Sequence, residues 1–139
     1  MTQENKDLLL RDLCARLPYG VKVNYNEEVC TIDSIGNDSE LLLKNNDGEI
    51  IPKWEDSLFI SIEKCKPYLF PLSSMTEEQQ KELYSIQGVL TVDFELEEYK
   101  MVHLFQFQNV IDWFNKNHFD YRGLIEKGLA IDSTDLNIY

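Results

Sequence analysis

Along the first twenty residues the apolar positions follow a helical period. Leu10, Leu13, Cys14 and Leu17 recur at i, i+3, i+4 and i+7, with Leu9 widening the stripe and Arg11, Asp12 and Arg16 on the remaining face; this spacing predicts an amphipathic helix over about 2–17. Pro18 disfavours helical geometry at the residue before it, and Gly20 follows, so the helix should stop near Leu17. From Val21 to about Cys65 the period falls to two. Val21, Val23 and Tyr25 alternate with Lys22 and Asn24, Asn26-Glu27 can turn the chain into the branched run Val29 to Ile35, and Gly36-Asn37-Asp38 turns it again. Asp47-Gly48 between Leu41–Lys44 and Glu49–Ile51 is the strongest hairpin signal, because both central residues tolerate positive φ. A further strand is expected through Leu58, Ile60 and Ile62.

Four or five short antiparallel strands bury little on an open sheet. Closure into a small antiparallel β-barrel is therefore expected, with the N-terminal helix over one end or edge and Trp54 as a plug or partial core residue. Lys66 to Leu72, bracketed by Pro67 and Pro71, reads as a stiff strap across the barrel and a poor central strand. Thr76 and Gln79 then form a capping-box pattern that opens a helix to about Ile86 or Gln87, ending near Gly88.

Val89 to Phe105 is read as two strands about a turn, the first alternating from Leu90 with Thr91, Asp93, Glu95 and Glu97. Phe107, Val110, Ile111 and Phe114 restore the helical period over about 106–116, and Asp120 is placed to cap a short last helix that Gly128 ends. The tail from Ala130 is expected as a loop or short extended piece. The expected whole is α+β: a barrel of about five strands and a strap over 1–72, and a helix-rich, mixed lobe packed on it over 73–139, forming one compact domain.

Composition changes this picture in one respect. Twenty-five acids against thirteen bases give a formal charge of −12, a field that repels phosphate backbones and anionic lipid and could attract a basic protein or serve simply to keep the chain soluble. Neither direct nucleic-acid binding nor membrane association is expected. Residues 1–7 lack the basic-then-apolar grammar of a secretion signal, and no apolar run reaches about 18 residues, so the expected compartment is the cytoplasm. Cys14, Cys30 and Cys65 are odd in number and far apart, which speaks for small buried hydrophobes and against a disulfide framework or a zinc site.

The chain contains no G-x-x-x-x-G-K-[ST], G-x-G-x-x-G or G-x-S-x-G pattern, and His103 and His118 belong to no metal-ligand spacing. Asn45 to Glu49 falls short of a calcium loop. Glu95, Glu97 and Glu98 belong to the densest acidic segment and are candidates for partner binding. On a strand Asp93, Glu95 and Glu97 would line one face too far apart for a cation cage, with Glu98 on the other. His118, Tyr121 and Arg122 fall within six residues, where Arg122 could act as a fork and Tyr121 as a stacking plane for a small anionic or aromatic ligand. The competing reading is a helix N-terminus pinned by Asp120 with Phe119 in the core.

Three segments, Asp7 to Val21, Lys66 to Met75 and His118 to Ala130, resemble a group of short proteins found in gut Bacteroidales genomes and in their phages and mobile elements. They cover under half of the chain. The resemblance implies a genomic setting and brings no catalytic residue with it. The expected function is a non-enzymatic interaction protein, without cofactor, binding a macromolecular partner through an acidic surface. A module that binds or sequesters a nucleotide-like small molecule is the alternative.

Overall fold

A computed structural model describes residues 1–52, 59–87 and 97–139, with the side chains of 87 and 97–106 outside that description. Helix α1 (Gln3–Arg16) starts where Thr2, in extended geometry, accepts a hydrogen bond from the Asn5 N–H (3.2 Å). It ends as Pro18 enters a 3-10 turn, Leu17–Tyr19, closed by Gly20 at φ +68°. Leu9 and Leu13 face the sheet, as the helical period requires.

Strands β1 (Lys22–Tyr25), β2 (Glu28–Ile35), β3 (Glu40–Lys44) and β4 (Ile50–Ile51) form an antiparallel meander. Asn26 and Glu27 both take positive φ, 50° and 68°, and make the tight turn between β1 and β2. Between β3 and β4 the organiser is Asn45, whose Oδ1 accepts from the N–H groups of Asp47 (3.0 Å) and Glu49 (2.9 Å), with Gly48 at φ +80°. Strand β5 (Ile60–Ser61) pairs with the other half of β3, so β4 and β5 share one edge of that strand.

The sheet does not close, which overturns the expected barrel. Among the described residues, with β6 (Lys66–Pro71), β7 (Phe119–Asp120) and β8 (Ile131–Asp132), its eight strands run β4-β3-β2-β1-β6-β7, with β5 on β3 and β8 on β6, and the pairing is mixed. The reason lies in the segment expected as a strap. Lys66–Pro71 is strand β6, antiparallel to β1 on one side and parallel to β7 (Phe119–Asp120) and β8 (Ile131–Asp132) on the other. Its prolines permit this because they stand at its second and last positions. Between them the Phe70 N–H donates to the His118 carbonyl and the Leu69 carbonyl accepts from Ser133, both at 2.9 Å. A strand that still holds partners on its second side extends the sheet instead of closing it.

Nor is the second half helix-rich. Among the described residues it holds α2 (Glu77–Gln87), entered through the expected capping box of Thr76 and Gln79, and α3 (Glu97–Lys116). Met101 to Phe105, expected as a strand, lies inside α3. Met101, Leu104 and Phe105 are spaced i, i+3, i+4, and the period that marks Phe107 to Phe114 continues back through them. The expected strand over 89–96 and Trp54 lie outside the described residues. No helix forms after Asp120; residues 121–130 make successive turns instead.

Two apolar clusters flank α1. The larger joins Leu9 and Leu13 to Val21, Val23, Ile32, Leu41, Leu43, Ile60, Ile62, Cys30 and Cys65 across the meander. The smaller unites Leu69 with Leu124, Leu129 and Ala130. Apart from both, Trp113 of α3 stacks on Phe119 of β7 (5.5 Å between centroids, 9° between planes).

Candidate functional site

Where the two halves meet, α1 presents a charge to the interior. Asp12 and Arg16, one helical turn apart, are both fully buried. Arg16 grips the Asp12 carboxylate with Nε (2.8 Å) and Nη2 (3.0 Å), and the same guanidinium donates to the carbonyls of Phe119 (2.7 Å) and Phe114 (3.4 Å). The pair thus ties α1 to α3 and β7. A bidentate, hydrogen-bonded arrangement is what makes a buried pair tolerable.

Tyr121 and Arg122 sit on the same network. Arg122 Nε lies 3.3 Å from Asp12 Oδ1, close enough for charge attraction but not aligned for a hydrogen bond, while its Nη2 donates to the Tyr121 hydroxyl (2.9 Å). That hydroxyl donates in turn to Asn115 Oδ1 (3.0 Å), and the Arg122 guanidinium lies 4.9 Å from the Tyr121 ring centre. One carboxylate therefore serves two guanidiniums. The fork and the stacking plane expected for a ligand come together as the sequence suggested, but they are engaged with each other, with Asp12 and with Asn115.

His118 is not part of that constellation. At φ +60° it turns its ring onto Tyr139, 3.7 Å between centroids and 9° between planes. It is 7% exposed, and Nδ1 has no hydrogen-bond partner. Burial, with the charges of Arg16 and Lys22, lowers its pKa from 6.5 to about 4, so the imidazole is neutral at pH 7. Asp120 anchors the following turns by accepting from the N–H groups of Leu124 (2.9 Å) and Ile125 (2.8 Å). Glu95 lies outside the described residues, and Glu97 and Glu98 open α3 in a helix where a strand was expected.

Cys30 and Cys65 are buried as expected and are poor nucleophiles by the same physics, whereas Cys14, also expected to be buried, is exposed on α1. Burial raises the Cys65 pKa to about 12, and burial together with the charge of Glu28 raises that of Cys30. Among the described residues no group of three or more His, Cys, Asp or Glu side chains could hold a metal ion, and no helix is long and apolar enough to cross a membrane. A depression of about 170 Å³ is lined by Phe70, Ser74, Thr76, Gln79, Phe119 and Thr134. Its polar side chains already hold local bonds: Ser74 to the Pro71 carbonyl, Thr134 to Asp132, and Thr76 with Gln79.

A second polar region faces solvent. The β1–β2 and β3–β4 turns emerge at the same end of the sheet, because β1 and β3 run in the same direction through the meander. Two strand spacings separate them, roughly 10 Å. Glu27, Glu28, Asp47 and Glu49 are all exposed there. Residues 26–49 carry seven acids against Lys44 alone, and Lys44 Nζ lies 3.9 Å from Asp33. Glu27 holds φ +68°, a geometry that costs a side-chain-bearing residue about 1 kcal/mol and glycine almost nothing. Sequence reading placed the acidic surface in the middle segment and missed this one, since only strand register brings the two turns together.

Comparison of the chain with protein-family models, with curated proteins and with solved structures yields no match.

Proposed function

We propose that the protein is a non-enzymatic interaction module that binds a basic protein through the acidic hairpin end of its sheet. The observation that supports this most is the convergence of Glu27, Glu28, Asp47 and Glu49 at one edge, with Glu27 held where glycine would be easier. Carboxylates on short turns of a rigid sheet present fixed charge at little entropic cost on binding. Exposed Glu77, Glu78 and Glu82 on α2 add to the negative field. The resemblance to proteins of Bacteroidales phages and mobile elements fits a partner supplied by the host cell.

The groups that could have carried chemistry support the same reading. His118 is neutral and covered by Tyr139, Cys65 is held as a thiol, and Arg122 and Tyr121 are engaged internally. These engagements weigh against nucleotide-like binding at Arg122.

The test is capture of basic proteins from a host lysate at low and high salt, by the wild type and by the variant Glu27→Gln, Glu28→Gln, Asp47→Asn, Glu49→Gln. A partner held by the wild type, released as the Debye length falls from ~10 Å at 0.1 M salt to ~3 Å at 1 M, and lost by the variant is the expected result. Retention that ignores both salt and the substitutions would overturn the proposal.

A further inference from the structure

Strands β1 and β6 pair at Asn24↔Lys66 and Val23↔Pro67, and there the ladder stops. Continuing the register makes Lys22 and Tyr68 the next pair. Pro67 has no N–H, so Val23↔Pro67 suits a pair without mutual hydrogen bonds, and Lys22↔Tyr68 would be one that exchanges them. The two strands instead stand apart, and a phenol fills the gap. The Tyr139 hydroxyl accepts from the Lys22 N–H and donates to the Tyr68 carbonyl, both at 3.0 Å.

The rest of the gap fits an aromatic ring. His118 covers one face at 3.7 Å, Phe70 packs against the ring at 6.1 Å between centroids, and the Lys22 ammonium lies 5.6 Å from its centre. Lys22 Nζ also donates to the Ile138 carbonyl (2.7 Å), fastening the chain that delivers the ring. That chain is lightly held: residues 134–137 are exposed, and Tyr139 as a whole is 41% exposed. Its phenol is nonetheless dehydrated enough for burial to raise its pKa to about 12.

We propose that the β1–β6 gap is a recognition site for a neutral tyrosyl side chain, held in cis by Tyr139, with residues 134–139 acting as an internal competitor for a tyrosine presented by a partner. One backbone donor and one backbone acceptor converge on a single oxygen, a pairing that selects a hydroxyl at the ring's para position. Removing that hydroxyl leaves both backbone groups without a partner, the situation in which polar sites discriminate most sharply. The site is separate from the acidic hairpin end and does not depend on it.

The experiment titrates the full chain carrying Tyr139→Ala with N-acetyltyrosinamide and N-acetylphenylalaninamide, following the His118 ring protons by NMR and thermal stability in parallel. Saturable binding of the tyrosine compound, at least tenfold tighter than the phenylalanine compound, with the His118 signals shifted toward their wild-type positions, is the expected result. No saturable binding, or equal binding of the two, overturns the proposal. Should that variant not fold, Tyr139→Phe decides. Its ring remains but lacks the hydroxyl, so N-acetyltyrosinamide should displace it at a concentration at least fivefold lower than in the wild type; equal concentrations overturn the proposal.

Discussion

Two polar regions of this molecule use the same side-chain chemistry to opposite ends. Beneath α1, Asp12, Arg16, Arg122, Tyr121 and Asn115 are paired with one another, and their partners come from distant parts of the chain. At the hairpin end, Glu27, Glu28, Asp47 and Glu49 face water, and the one lysine within residues 26–49, Lys44, is itself beside Asp33. The first region joins α1 to α3 and β7 and leaves little to offer a ligand. The second contributes little to the fold and is open to a partner. Polar density alone does not mark a binding surface; what matters is whether the groups have already found each other.

The comparison can be broken at several points, and the largest effect should come from its buried centre. Asp12→Ala leaves Arg16 in the interior without its counter-charge and should destabilise by ~3–5 kcal/mol, read by denaturant unfolding. Asp120→Ala frees two N–H groups that now donate to a carboxylate and should cost ~1–3 kcal/mol in the same assay.

Acid should act on the buried side as well. The folded His118 pKa, about 4, lies below its ordinary 6.5, so between those values the unfolded chain binds the extra proton. The stabilisation is complete above about pH 6.5 and is lost as the pH falls toward 4. The slope of Tm against pH in that window should flatten in His118→Asn.

At the hairpin end the signs change. Glu27→Gly should raise stability by ~1 kcal/mol by relieving the positive φ, while weakening partner binding. A stability gain without a binding loss would remove Glu27 from the surface. Neutralising all four carboxylates should move stability least, within ~0.5 kcal/mol.

What the sequence revealed followed the range of the interactions involved. Helix α1, the turns at Asn26-Glu27 and Asn45 to Gly48, and the capping box of Thr76 and Gln79 are local, and their signals lie within a few residues of each other. The course of β6 was not legible, because Pro67 and Pro71 argue against a central strand until the partners of Leu69 and Phe70, residues 133 and 118, are known. Asp12 and Arg16 carry the i, i+4 spacing of a helix ion pair. That spacing reads equally well on a solvent face, and only Phe114 and Phe119, some hundred residues away, make it a buried one. Tyr139 and Lys22 gave no signal either, since the gap they share exists only once β1 and β6 diverge.

The most direct test sets the two regions against each other in one measurement, the affinity for the salt-sensitive basic partner of two variants whose thermal stability is recorded in parallel. The four-carboxylate variant should keep its Tm and lose affinity by ~tenfold or more, about 1.4 kcal/mol. Arg122→Ala should lower Tm and leave the affinity of the folded protein unchanged. Loss of binding in Arg122→Ala with full binding in the hairpin variant would contradict the account and return the ligand to the residues around Arg122.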